Sequence, residues 1–136
     1  MMKKLDKKIL IIEDEQALRT SLQDTFSAEG FEVSAASDGE EGLELALEKS
    51  PDIILLDLLM PKMDGRMMLK KLRESPQGKN IPVIVLTVLE ANDQIIHWIT
   101  QYAPTYYLIK SEWRIDLLVD KVNERLGLLP SQQKGL

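Results

Sequence analysis

The apolar positions of this chain fall into two rhythms. Four runs, Ile9-Leu10-Ile11-Ile12, Ile53-Ile54-Leu55-Leu56, Val83-Ile84-Val85-Leu86 and Tyr106-Tyr107-Leu108-Ile109, are rich in β-branched or aromatic types and bounded by polar or turn residues. Short continuous runs of this kind predict strands covered on both faces, as in a parallel sheet. A fifth segment, Phe31-Glu32-Val33-Ser34-Ala35, alternates instead, which predicts a strand with one more exposed face. Between these runs the spacing turns helical. Ala17, Leu18, Leu22 and Phe26 form one stripe, with Gly30 placed to end the helix. Leu43, Ala46 and Leu47 form a second, opened near Ser37-Asp38 as an N-cap and stopped before Pro51. Met68, Leu69 and Leu72 form a third, started by Asp64 and stopped before Pro76. Asn92, Ile95, Ile96 and Ile99 suggest a fourth helix, and Ile115, Leu118, Val119, Val122 and Leu126 a fifth that ends at Gly127.

A strand followed by a helix, five times over with short connections, predicts a parallel sheet with right-handed crossovers and helices on both faces. Five units are too few for an eight-fold barrel, so the expected fold is an open, doubly wound α/β sheet. Residues 1–127 are expected to form one domain and 128–136 a short polar tail.

Composition narrows the function. A length of 136 residues suits one domain with a proper core, and 44% apolar against 29% charged residues argues against disorder. The net charge of −5 disfavours direct binding to nucleic acid or an anionic membrane. The absence of cysteine excludes disulfides, thiol nucleophiles and thiolate metal sites, and suits a reducing cytoplasm, the expected location. The basic N-terminus is followed by an apolar run of four residues closed by Glu13-Asp14, too short for a signal peptide or a membrane span.

In an open parallel sheet, functional groups gather at the carboxyl ends of the strands. Glu13 and Asp14 follow the first run, Asp57 the run at 53–56, Thr87 the run at 83–86, and Lys110 the run at 106–109. Carboxylates crowded in a partly dry cleft repel one another, so something positive is expected to share their site. Lys110 supplies one charge. With one histidine and no cysteine in the chain, a hard cation bound through oxygen is the natural source of the rest, and magnesium fits. These are the parts for phosphoryl transfer onto an aspartate. Asp57 would attack in line, Thr87 would donate a hydrogen bond to a phosphoryl oxygen, and Lys110 would offset the charge.

The stretch Asp57-Leu58-Leu59-Met60-Pro61-Lys62-Met63-Asp64-Gly65 resembles the phosphoacceptor segment of bacterial response-regulator receiver domains. Glu13-Asp14, Leu86-Thr87 and Tyr107-Leu108-Ile109-Lys110 match the rest of that family's pattern in order and spacing, over roughly residues 8–126. The resemblance implies a flavodoxin-like five-stranded sheet of order 2-1-3-4-5. It implies that Asp57 receives a phosphoryl group from a phosphohistidine on a sensor histidine kinase or phosphotransfer protein. Asp14, Asp57 and the backbone carbonyl of Leu59 would be the magnesium ligands, with Glu13 helping through water. Lys110 and Thr87 would contact the phosphoryl group. Tyr107 would be the switch aromatic, turning inward when Thr87 moves and reshaping the face of the fourth helix, fifth strand and fifth helix for a downstream protein or a second copy. Such a domain catalyses only its own phosphorylation and dephosphorylation. With no effector after Gly127, it is expected to be a stand-alone regulator or a piece of a longer one.

Two positions and one loop depart from the family pattern, the loop before the fifth strand reading Gln101-Tyr102-Ala103-Pro104-Thr105 where a glycine-alanine-acid turn is usual. Ser111 follows Lys110 where a proline on a cis bond is usual, and holding a non-proline bond cis costs about 2.5–4 kcal/mol. Val88 stands where a small residue is usual, so a longer-lived phosphoaspartate is expected. These two positions motivate the strongest rival, a degenerate receiver acting as a phosphorylation-independent interaction module. A flavin-binding electron carrier would share the fold but needs a glycine-rich phosphate loop where Glu13-Asp14-Glu15 stands. An aspartate-based phosphohydrolase would want a second acid at Leu59. His97 is expected to be structural or exposed, the methionines at 60, 63, 67 and 68 to serve packing, and Pro61 and Gly65 to shape the turn after Asp57. Trp98, Tyr102, Tyr106 and Trp113 are expected either to make the output face aromatic or to be packed.

Overall fold

Strand and helix alternate from Lys8 to Thr87 in the computed structural model, which describes residues 6–58, 64–87, 97, 100–102, 104–109 and 114–128. The described elements are β1 (Lys8–Ile12), α1 (Gln16–Ala28), β2 (Glu32–Ala36), α2 (Gly39–Lys49), β3 (Ile53–Asp57), α3 (Gly65–Glu74), β4 (Val83–Thr87), β5 (Tyr106–Ile109) and α4 (Ile115–Leu126). The stripe of Asn92, Ile95, Ile96 and Ile99 lies outside the described residues. No helix among the described residues is long and apolar enough to cross a membrane.

The five strands pair in parallel in the order β2-β1-β3-β4-β5, as the resemblance implied. The chain leaves β1 toward β2 on one side and returns to β3 on the other. The carboxyl ends of β1 and β3 therefore flank the point where winding reverses, the usual crevice for a ligand in such sheets. Register keeps those ends level, with Ile12 beside Leu56, Asp57 beside Leu86 and Thr87 beside Ile109.

Alternate residues of each strand face opposite helical layers. Leu10, Ile12, Ile54, Leu56, Val83 and Val85 meet Ala46 of α2 and Met68, Leu69 and Leu72 of α3. Ile9, Ile11, Ile53, Leu55, Ile84 and Leu86 meet Leu22 and Phe26 of α1 and Leu118, Val119 and Val122 of α4. The continuous apolar runs exist because the central strands have no solvent face.

Several expected boundaries shift for local reasons. Ala17 is exposed, so the α1 stripe narrows to Leu18, Leu22 and Phe26. Phe31 belongs to the end of α1 and not to β2. Its N–H reaches the carbonyl of Phe26 at 3.1 Å while that of Gly30 reaches Ser27 at 3.0 Å, the paired bonds of a Schellman stop. Gly30 takes φ 99° there, and the rings of Phe26 and Phe31 meet edge to face at 5.6 Å. Leu128 repeats the device on α4, donating to Asn123 at 2.8 Å past Gly127 at φ 68°, and packs on the α1/α4 layer. The N-caps fall where the sequence placed them. Asp38 accepts from the N–H of Glu41 at 2.9 Å and Asp64 from that of Met67 at 3.0 Å.

Candidate functional site

The site is assembled from the ends of β1 and β3. After β1 the N–H of Glu13 donates to Ala36 at 3.0 Å, extending the ladder with β2 by one step and keeping Glu13 buried at 2% exposure. The Glu13 side chain turns back, its Oε2 accepting from the N–H of Glu15 at 3.1 Å. Arg19, one turn into α1, donates through Nη1 to the carbonyls of Glu13 at 3.0 Å and Asp14 at 3.3 Å. That clamp holds the β1–α1 turn in the conformation that leaves Asp14 exposed beside buried Glu13. Asp57 is the last residue of β3 and is 3% exposed.

These elements bring one carboxylate oxygen each from Glu13, Asp14 and Asp57 within 4.8 Å of one another. Two of the three residues are buried, so water screens their repulsion poorly. The cationic head of Arg19 is bonded to main-chain carbonyls of the turn.

All three donors are hard oxygens, the chemistry of magnesium or calcium and not of softer metals. Two oxygens on one magnesium ion at about 2.0–2.1 Å each lie no more than about 4.2 Å apart. A pair 4.8 Å apart therefore needs to draw in by less than an ångström or to act through a water. The residues present fit a magnesium ion.

The backbone behind Asp57 is locked by α3. The N–H of Gly65 donates to the carbonyl of Leu58 at 2.9 Å. A Cβ on Gly65 would collide with the carbonyl oxygen of Asp57 and stand 2.5 Å from the Cα of Leu58. Gly65 was expected to shape a turn; it is instead the first residue of α3, and its missing side chain lets the helix abut the strand end.

Other expected residues are placed as follows. Thr87 ends β4 beside Ile109, its side chain outside the described residues, and Leu59, Val88, Lys110 and Ser111 also lie outside them. Tyr107 pairs with Val85 and packs, half-buried, against the α2/α3 layer, and that burial raises its phenol above the ordinary value. Tyr102 packs on the same layer and Tyr106 on the opposite one, where its hydroxyl donates to Glu124 at 3.4 Å and Lys121 lies 4.9 Å over its ring. These two aromatics are packed; Trp98 and Trp113 lie outside the described residues. His97 is exposed.

Arg19 is the positioning residue that sequence reading passed over. Its signal was available: helical side chains lean toward their own N-terminus, so a long donor one turn into α1 reaches back over the loop before it.

Comparison with known proteins agrees with this geometry. Residues 9–123 match the response regulator receiver domain family. Response regulator PleD of Caulobacter vibrioides is 33% identical over 129 residues, covering 87% of this chain and 28% of PleD. The chain likewise spans less than half the length of other curated relatives, such as the regulator PhoP of Bacillus subtilis at 34%. Among solved structures, the receiver domain of the Francisella response regulator 1452 superposes with a TM-score of 0.77 at 32% identity, covering 87% of this chain and 94% of that one. The receiver domain of sensor histidine kinase PA1611 from Pseudomonas aeruginosa PAO1, with a magnesium ion coordinated in its active-site cleft, superposes at 0.78 with 25% identity, covering 89% and 98%.

Proposed function

Since the chain belongs to the response regulator receiver domain family, we propose that it is the phosphoacceptor of a two-component relay, with Asp57 taking the phosphoryl group from a phosphohistidine. An Asp57 oxygen attacks phosphorus, the N–P bond breaks, and its electron pair returns to the leaving imidazole. Asp14, Asp57 and the carbonyl of Leu59 would hold magnesium, with Glu13 acting through water. The ion offsets charge on the phosphoryl oxygens when bound. Thr87 and Lys110 contact the transferred group, and Tyr107 reports its arrival by turning inward. The domain, residues 1–127, handles only its own phosphorylation and dephosphorylation.

One observation carries this reading. Asp57, 3% exposed, ends a central strand with two further carboxylates within reach. Such a trio is what a bound cation and an aspartate that accepts a phosphoryl group would use, the cation offsetting the like charges.

The partners follow from the same reading: a histidine kinase or phosphotransfer protein upstream and a protein target downstream, in the cytoplasm. The face of β5 and α4, together with the helix expected from the Asn92, Ile95, Ile96 and Ile99 stripe, would be the output surface and the place of any homodimer, with no direct contact to nucleic acid.

The test is incubation with acetyl phosphate, or with beryllofluoride and magnesium, for the wild type and Asp57→Ala. Magnesium-dependent modification of the wild type and none of the variant is expected. Failure of the wild type to bind magnesium or accept phosphate would favour the degenerate interaction module.

A further inference from the structure

At the far end of α3 from Asp57, Arg73 gathers three backbone carbonyls. Its Nε donates to Tyr102 at 2.8 Å, and its Nη1 to Gly78 at 3.0 Å and Ile81 at 2.8 Å. Gly78 and Ile81 belong to the connection from α3 to β4, and Tyr102 to the segment that leads into β5. The guanidinium is half-buried to do this, and loss of water pulls its pKa below the ordinary value. A guanidinium suits the task because it is a flat fork of donors that stays charged, whereas an ammonium presents a single point.

The two ends of α3 are thus anchored to different parts of the molecule. The first residue, Gly65, is bonded to Leu58 and seated against the backbone of Asp57. Arg73, about 12 Å away at the ordinary helical rise, holds the entry to β5. Between them Met68, Leu69 and Leu72 seat the helix in the core layer on which Tyr102 and Tyr107 also pack. A helix pinned at both ends in a close-packed layer moves as a unit or not at all.

We propose that α3 is a mechanical strut between the backbone of Asp57 and the segment carrying Tyr107, with Arg73 as the positioning residue at its far end. The strut is a route to Tyr107 separate from the movement of Thr87. Strain at Asp57 displaces the N-terminus of α3, and Arg73 passes that displacement to the Tyr102 carbonyl and so to β5. This inference rests on the phosphoacceptor reading of Asp57.

The test uses the full chain labelled with fluorotyrosine, the Tyr107 resonance being assigned with Tyr107→Phe. Beryllofluoride with magnesium is added to the wild type, Arg73→Gln and Arg73→Lys, and binding at Asp57 is measured separately by its concentration dependence. The expected result is a shifted Tyr107 resonance in the wild type, with at least half of that shift lost in Arg73→Gln. Binding should remain saturable in that variant, and Arg73→Lys should recover only part of the loss. A second readout needs no variant: in the wild type, amide exchange of α3 and of Tyr102 should change together on binding.

If the wild type binds and its Tyr107 responds while α3 and Tyr102 keep their protection, the strut is overturned. A full Tyr107 shift in Arg73→Gln overturns it equally. If the wild type binds no beryllofluoride, the phosphoacceptor reading fails and takes the strut with it, a result told apart by the missing binding curve.

Discussion

On one side of the sheet, α2 and α3 approach so closely that Gly42 and Gly65 stand where a methyl group would strike Ile12 or the backbone of Asp57. On the other side, α1 and α4 cover the strands with bulky groups, Leu22, Phe26, Leu118, Val119 and Val122. That second layer also buries Asn123 at 2% exposure, and neither atom of its amide has a hydrogen-bond partner among the described residues. The difference separates two demands on one fold. Close backbone contact leaves few alternative positions, so the layer next to Asp57 holds the site in place. In the opposite layer the Asn123 amide is buried without a partner among the described residues, a cost the fold carries away from the close contacts at Asp57.

The severest way to break this contrast is Gly65→Ala. The new methyl meets backbone atoms of Asp57 and Leu58 that cannot rotate aside. We expect a loss of about 3 kcal/mol or more in urea unfolding, together with weakened magnesium binding. A cost below about 1 kcal/mol would mean that α3 is free to shift and that the close approach is incidental.

Gly42→Ala should cost less, about 1–2 kcal/mol, since its nearest neighbour, at 2.6 Å, is the Cδ1 of Ile12, the end of a side chain, and alanine favours the helix. Trimming Ile12 to Val in the same protein should recover part of that cost. A double-mutant cycle would show coupling of about 0.5 kcal/mol or more if the two groups meet.

Asn123→Leu sharpens the other half of the comparison. Replacing a buried amide that has no partner among the described residues with an apolar side chain should stabilise the protein by about 1 kcal/mol, read as a higher urea midpoint with unchanged slope. Destabilisation of similar size would show that the amide is satisfied, and the contrast between layers would weaken.

The smallest effect concerns Tyr107, which packs on the tight layer. Burial raises its phenol, so the folded state keeps that proton to higher pH than the unfolded chain does. Its contribution to stability is complete below about pH 10 and is lost as pH rises through the folded value. Tyr107→Phe should flatten this alkaline decline in thermal unfolding, and an unchanged decline would assign it to other groups.

Much of the molecule can be read from side-chain rhythm alone. The strands appear within a residue of their places because burial on both faces demands unbroken apolar runs, and Asp38, Asp64 and Gly127 mark helix ends by local chemistry. That Glu13, Asp14 and Asp57 come together was legible because strand ends in a parallel sheet share one edge. Phe31 was misread for the opposite reason: its apolar side chain suits a strand, but its N–H is claimed by the stop of α1.

Patterns of residue type thus establish which segments are strands, which are helices, and which acids stand at one edge, since each depends on contacts near in sequence or on burial common to a whole element. Folding in three dimensions adds what joins distant segments. The seat of Gly65 against Asp57, the reach of Arg73 to Tyr102 across 29 positions, and the burial of Asn123 are of this kind. They depend on how closely two packed layers approach, a distance set by every side chain between them and carried by no single stretch of the chain.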